Sequence, residues 1–507
     1  MRKGARAKPA PQMEQTKKKF LKNMVGFSMM TWISFVIGFI ASPIATRLFV
    51  PDELGKVNMF GSYAALISSF CYLGLDQAFV RFFREPPGRL TQKGLFTFCT
   101  LVPLGFSVLS SLVLVFSWRW FGYQVMGRPD FSVFLCLCLY SVSLVVYRFL
   151  SLCYRMEQNA RLYTIQGVVQ VLLTKIAYLA VGFGSATGKA ALICLTVLMG
   201  VFTLAFILIQ RSRFDLHFAR QMDKPAFREL AAFALPLVPM SILSWLNTDI
   251  SRVVLRQLLG FSATGIYSSA LGLAATINII QTGFNAYWAP YVFENYQSDD
   301  HRRFYTVHRL MACLLTFFGL LITLLQSPVF LLLGKSYRSS VVFFPFLFLS
   351  PICYCLGETT GMGITISKKT YWSTLIFLFS VIVNIGLCYL LIPLMGMTGA
   401  AVSSAASAIL TLLLRTFIGE RYYKAIERYR YLAYTIGLML AASVGNLLLT
   451  GLAKYLLLLV ILAVAFALYR PELKTLWATG MQIAKAGRGA LKRRAGKADG
   501  EDRHESK

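Results

Sequence analysis

Long apolar runs separated by short polar breaks constrain this chain more than any other feature of its sequence. A run of about 20 apolar residues matches the roughly 30 Å hydrocarbon layer of a bilayer at a helical rise of 1.5 Å per residue. Lipid offers no partners to backbone N–H and C=O groups, so only helices or closed barrels can cross it. The runs here are continuous rather than alternating, which selects helices. They fall at 24–49, 59–80, 95–118, 131–154, 162–183, 190–210, 230–250, 263–293, 307–333, 341–366, 371–394, 398–419, 432–451 and 455–470. The expectation is an all-α, polytopic membrane protein with about 14 transmembrane helices. Composition agrees: 56% of the residues are hydrophobic and 14% charged, where a soluble domain carries about 25% charged.

The net charge of +29 would suggest nucleic acid in a soluble protein. Its placement argues for a membrane instead. Segment 1–23 is basic (Arg2, Lys3, Arg6, Lys8, Lys17, Lys18, Lys19, Lys22), as is the tail 471–507 with its cluster Lys492, Arg493 and Arg494. Between them, basic loops (Arg81/Arg84, Arg155/Arg161, Arg211–Arg228, Arg302/Arg303, Lys368/Lys369, Arg421–Arg430) alternate with poorer ones. The positive-inside rule then puts both termini in the cytoplasm, with an even number of spans. The loops are short and leave no room for a soluble catalytic domain, so an enzyme is not expected. The first apolar run is too long for a signal peptide and no small-residue cleavage site follows it, so the first helix is expected to be retained. The ten cysteines fall inside spans. The i,i+2 pairs Cys136/Cys138 and Cys353/Cys355 point to different helix faces, so neither a metal nor another cofactor is expected. His217, His301, His308 and His504 lie near basic segments and read as solvated.

An internal repeat divides the chain. Arg47-Leu48-Phe49…Gly55 leads into the second span, and Gln257-Leu258-Leu259…Gly265 into the eighth, 210 residues later. Thr187-Gly188-Lys189-Ala190 opens the sixth span and Thr398-Gly399-Ala400-Ala401 the twelfth, 211 residues later. The expected organisation is a basic segment 1–23, a six-helix bundle 24–210, a cytoplasmic linker 211–229, a second six-helix bundle 230–419, two extra helices within 420–470 and a basic tail 471–507. The two bundles would be related by a pseudo-two-fold axis, with a site between them.

The segment Ala45–Glu85, ATRLFVPDELGKVNMFGSYAALISSFCYLGLDQAFVRFFRE, resembles the N-terminal signature of the oligosaccharide flippase (polysaccharide transporter) family. The resemblance rests on the Arg-Leu-Phe…Pro-x-Glu-x-Gly corner and on Leu-Gly-Leu-Asp…Arg-Phe. Gly265-Ile266-Tyr267 and Ile392-Pro393…Gly396-x-Thr398-Gly399 add to it. That family shares a superfamily with multidrug antiporters and lipid II flippases. The resemblance implies a V-shaped, two-bundle exporter in the bacterial cell membrane. It would move an undecaprenyl-pyrophosphate-linked oligosaccharide to the outer leaflet by alternating access, for cell-surface polysaccharide biosynthesis. Implied partners are the lipid-linked oligosaccharide, membrane lipids, H+ or Na+ as coupling ion, and polysaccharide-assembly proteins; nucleic acid is not among them. A cation-coupled multidrug antiporter and a lipid II flippase remain open on the same fold. A membrane glycosyltransferase, polymerase or ligase is the reading from another class. The Asp299-Asp300 pair is poor support for one.

Flipping a lipid needs a polar cavity, positive charge for a diphosphate and coupling to an ion gradient. Ionisable residues at membrane depth are therefore the search target. Lys175, mid-span 5, is a cavity cation or one half of an interhelical ion pair. Arg47, Arg81 and Arg148 lie nearer the span ends, where snorkelling to headgroups competes with a cavity role. Arg415 reads as a snorkelling residue. Among acids, Asp76 has Arg81 one turn away, and Asp249 has Arg252 at i+3, so local pairing competes with ion coupling for both. Glu358 has no cation within a turn, which makes it the first choice for an ion-coupling site. Asn278, Gln281 and Asn285, followed by Tyr287 and Trp288, form a polar stripe in span 8. Ser62, Ser69 and Asp76 form one in span 2. Amides and rings suit sugars; hydrogen bonds between packed helices are the competing explanation. Pro43 in span 1 and Pro236 and Pro239 in span 7 mark candidate hinges at corresponding positions. Lys175 is expected off the Gln166/Gln170 face.

Overall fold

The computed structural model describes residues 11–215, 217–296, 301–478 and 481, with side chains placed from Met29 onward apart from a few positions in 279–301. Residues 1–10 and the side chains of 11–23 in the basic segment, the distal tail with Lys492–Arg494 and His504, Asp299-Asp300, and the side chains of Tyr287 and His301 lie outside the described residues. Among the described residues, regular structure is helical throughout.

The first bundle comprises α1 (Pro11–Leu48), α2 (Pro51–Cys71), α3 (Leu75–Phe82), α4 (Gln92–Leu114), α5 (Trp118–Met126), α6 (Phe131–Met156), α7 (Ala160–Lys175) and α8 (Gly188–Ile209). A short α9 (Phe218–Gln221) leads to the second bundle. This holds α10 (Lys224–Ala234), α11 (Leu237–Ala274), α12 (Asn278–Asn295), α13 (His301–Leu324), α14 (Gln326–Leu331), α15 (Phe344–Thr360), α16 (Met362–Ile366), α17 (Tyr371–Met395) and α18 (Met397–Tyr422). The extra pair α19 (Arg430–Leu448) and α20 (Gly451–Leu468) follows.

Among the described residues, eleven helical stretches are long and apolar enough to cross a membrane, or thirteen when each of two bent pairs counts as one span. One stretch, Lys224–Asn285, runs 62 residues. At 1.5 Å per residue that is about 90 Å, some three bilayer thicknesses, so it cannot be a single crossing. It breaks inside α11 at Gly260, whose φ of 84° only glycine adopts freely. Spans 7 and 8 of the sequence reading are the two limbs on either side of that turn. The expected hinge at Pro43 is absent: α1 runs through it as one helix. Span 2 instead bends by 54° where Leu73 and Gly74 both take positive φ. Span 10 bends by 61° between the 3-10 segment Lys335–Val342 and α15. Pro236 does coincide with a break, between α10 and α11.

The repeat offset of 210 is visible in the backbone. Gln158 and Lys368, 210 apart, take φ of 58° and 59° in equivalent turns. The same bonds flank both: Gln158 N to Arg155 O and Asn159 N to Tyr154 O, then Lys368 N to Thr365 O and Lys369 N to Ile364 O. The two halves meet where α2 crosses the turn of α11. A Cβ added to Gly55 would lie 2.0 Å from Phe261 O, and one added to Gly265 would lie 2.1 Å from Pro51 O. Since 55 pairs with 265 and 51 with 261 at the same offset, this contact is reciprocal across the pseudo-two-fold. The corner motif is explained by it: glycine lets two backbones touch, and neighbouring Glu53 accepts a hydrogen bond from Gly188 N at the start of α8. Further along the seam the breaks of both helices abut, with Gly74 packed on Ala234 O (2.2 Å to an added Cβ).

α5 lies across the Gly260 turn. Arg256, buried and with no carboxylate partner among the described residues, donates from Nη2 to Tyr123 O at 2.6 Å. Its guanidinium stacks near the rings of Tyr123 and Phe261. The negative end of a helix dipole is a suitable partner for such a cation. The extra helices dock on α13 of the second bundle. Arg309 and Tyr431 bind Glu472, Thr435 bonds Thr316 at 3.0 Å and Tyr469 at 2.8 Å, and Gln326 Nε2 donates to Asn446 at 2.6 Å.

Candidate functional site

A cavity of about 790 Å³ sits between the bundles, just inside the Gly55–Gly265 crossing. Both halves line it. Asn58, Ser62, Tyr140, Gln170, Thr174 and Lys175 come from the first. Ser244, Asn247, Thr248, Asp249, Arg252, Tyr267, Asn278, Gln281 and Tyr354 come from the second. Hydroxyls, amides and aromatic rings share its wall with apolar side chains, so the lining is suited to a polar ligand.

Lys175 is the last residue of α7, where the chain tightens into the 3-10 segment Ala177–Phe183. It is exposed, but to the cavity. No hydrogen bond or ion pair holds its ammonium among the described residues, and its Coulombic neighbour is another cation, Arg252. The expectation that Lys175 leaves the Gln170 face is corrected: both line this wall. Gln166 alone turns away, fully buried with its amide unpartnered.

On the opposite wall Asp249 Oδ1 accepts from Ser62 Oγ at 2.7 Å and from Arg252 Nη1 at 2.7 Å. Trp245 Nε1 donates to Ser62 O at 2.8 Å. The pairing of Asp249 with Arg252 thus forms as its spacing suggests, and Ser62 ties it to the other bundle. The sequence reading ended span 7 at 250 and left Arg252 outside the membrane. The helix in fact continues to Gly260, which brings Arg252 into the cavity. Asn278 and Gln281 line the cavity, while Asn285 does not; its Oδ1 is buried without a partner among the described residues. Of the span 2 stripe, Ser62 alone reaches it. Arg47 and Arg81 are exposed and lie outside the cavity wall.

Three further charged positions depart from expectation. Asp76 pairs with Arg148 of α6 at 2.9 Å, not with Arg81, because the bend at Gly74 turns α3 toward α6. Glu358 is not unpaired: Arg415 of α18 reaches it at 2.9 Å. Arg415 does not snorkel; it is 12% exposed and packs against Gly357 and Gly361, whose missing side chains leave room for the guanidinium. Arg148 and Glu358 are themselves 210 apart, so one position of the repeat carries opposite charges in the two bundles, each paired to a different helix of its own bundle. His308 is fully buried, its Nδ1 2.8 Å from Thr359 Oγ1, where solvation was expected; His217 is exposed beside Asp215. The cysteines are free, buried or half-buried.

Away from the spans, Asp130 caps α6 through Ser132 N and Val133 N and binds Lys189 at 2.7 Å. Burial alone would raise its carboxyl, but Lys189, Ser132 and the Val133 N–H outweigh it and hold the group below the usual aspartate range.

Comparison with known proteins agrees with this architecture. A lipid II flippase MurJ in an inward closed conformation has 12% identity and a TM-score of 0.66, covering 88% of this chain and 97% of its own. An inward-facing multidrug resistance MATE family transporter of the MOP superfamily has 13% identity and a TM-score of 0.56, over 81% and 98%. These likenesses establish the fold. In sequence, capsular polysaccharide biosynthesis protein CapF of Staphylococcus aureus is 22% identical over 404 residues, 77% of this chain and 97% of that protein. Residues 20–296, more than half the chain, match the family described as polysaccharide biosynthesis protein, and the chain belongs to that family.

Proposed function

We propose that this protein flips an undecaprenyl-pyrophosphate-linked oligosaccharide from the cytoplasmic to the outer leaflet by alternating access. The observation that carries the reading is that Lys175, whose ammonium no hydrogen bond or ion pair holds among the described residues, lines the same inter-bundle cavity as Arg252. Arg252 is already bound by Asp249, so the Lys175 ammonium leaves the cavity with a net positive charge that calls for an anion. A diphosphate would supply one, and the amides of Asn58, Asn247, Asn278 and Gln281 with the rings of Tyr140, Tyr267 and Tyr354 suit a sugar. No covalent step is needed.

In this reading 24–210 and 230–419 are the moving bundles, joined by 211–229, and 420–470 is docked on the second. The basic loops and both termini face the cytoplasm of a bacterial cell. Coupling to H+ or Na+ would act through a carboxylate whose partner changes during the cycle; Asp249 in the cavity wall, Asp76 and Glu358 are the candidates. Arg47 and Arg81, at the rims, would meet the substrate only in transit.

A clean deletion tests the proposal, scored for surface polysaccharides and for lipid-linked intermediates in the inner leaflet. Loss of one polymer with accumulation of its lipid-linked unit is expected, and Lys175→Ala should fail to complement. An unchanged glycan profile with new sensitivity to toxic cations would refute it and favour the antiporter. Arrest of peptidoglycan synthesis would favour lipid II.

A further inference from the structure

The repeat offset links two residues that lie apart here. Arg148 of α6 and Glu358 of α15 occupy equivalent positions in the two halves and carry opposite charges. Each is held within its own bundle, Arg148 by Asp76 and Glu358 by Arg415, both at 2.9 Å. Each is also partly open, at 40% and 35% side-chain exposure. Both belong to stripes that continue the cavity wall. Tyr354 lines the cavity one turn before Glu358, and Tyr140 lines it two turns before Arg148.

The outer crossing shows what equivalent positions do when one side of the molecule is shut. Gly55 meets Phe261, and Gly265 meets Pro51, because a two-fold brings such residues together at its axis. On the opposite side the abutting breaks at Gly74 and Ala234 supply a pivot.

We propose that Arg148 and Glu358 meet when the cytoplasmic side closes, forming the ordered chain Asp76–Arg148–Glu358–Arg415 of alternating charge. This rests on the alternating-access reading. Residues that are repeat-equivalent, partly exposed on helices that line the cavity and of opposite sign are drawn together as the mouth narrows. Each keeps its own-bundle partner, so neither is left uncompensated in either state. The pair would act as a positioning element that favours the inner-closed state, away from the cavity cations.

The test uses spin labels at Arg155→Cys and Thr365→Cys, a repeat-equivalent pair two turns further along the same stripes and exposed here. The native cysteines are replaced and the full chain is studied in lipid nanodiscs without substrate. The wild-type background should show a short-distance population. Glu358→Gln and Arg148→Gln should each lower it about fivefold, the worth of a networked, partly exposed pair, and the double variant should lower it no further. Glu358→Asp should recover part of it, which a misfolded chain would not. A single long distance in the wild-type background, no change in either single variant, or fully additive losses would overturn the gate. The cargo is decided separately by the deletion phenotype.

Discussion

Gly265→Ala should tilt the protein toward an outward-open state. The added Cβ would sit 2.1 Å from Pro51 O, where ordinary contact begins near 3.4 Å, so the two helices must part by about 1.3 Å. Overpacking of this kind costs about 1–3 kcal/mol. The substitution also raises helix propensity, but that gain is shared by the closed and open states and cancels between them. The clash acts only when the crossing is formed. The outer-closed state should therefore lose about 5- to 150-fold in population relative to the open one. The assay is labelling of Asn58→Cys, one turn inside the crossing, by an impermeant maleimide added outside right-side-out vesicles, with native cysteines replaced. Gly55→Ala should behave alike, because the contact is reciprocal. Gly105→Ala, where an added Cβ meets nothing within 4 Å, is the control. Equal external labelling of Gly265→Ala and Gly105→Ala would refute the argument that this crossing seals the outer face.

Lys175→Ala should weaken competition by a soluble isoprenoid diphosphate by about 10- to 100-fold, the loss of one charge-assisted contact, while Lys175→Arg retains most of it; binding titration of purified protein checks this. Glu358→Gln strands Arg415 among Gly357 and Gly361 and should cost about 1–3 kcal/mol of stability, read as a lower melting temperature in detergent, with Arg415→Met in the same chain restoring part of it. Arg256→Met should raise external labelling of Asn58→Cys by freeing α5 from the Gly260 turn, and Arg256→Lys should reduce that rise. Asp130, with its carboxyl held low, stabilises fully above the ordinary aspartate value of about 3.9 and loses that contribution as pH falls through its folded value; the acid limb of the melting curve should flatten slightly in Asp130→Asn.

The charged residues separate local from tertiary information. Asp249 and Arg252 found each other because i,i+3 spacing puts them on one face whatever the surroundings. Asp76 was matched to Arg81 on the same rule, yet a bend at Leu73–Gly74 turned it to Arg148, and no spacing rule encodes that bend. Glu358 and Arg415 stand 57 residues apart and meet only because α15 and α18 pack through glycines. Lys175 was recognisable from depth alone. Its wall was not: Gln170 and Lys175 lie on different faces of the same helix α7, and only the packing of the two bundles shows a cavity broad enough for both to line it.

The all-helical, many-span class and the two-fold repeat followed from sequence by itself, while the count of about 14 spans compares with eleven to thirteen in the described residues. The bilayer imposes run length, and a reciprocal backbone crossing needs glycine at both equivalent positions, as Gly55/Gly265 shows. The tertiary structure alone decided which polar groups share the cavity, which charges are paired and where the helices break. Those outcomes depend on how helices distant in the chain cross, and the crossing is settled by close backbone contacts and glycine gaps that leave no periodic mark in the sequence.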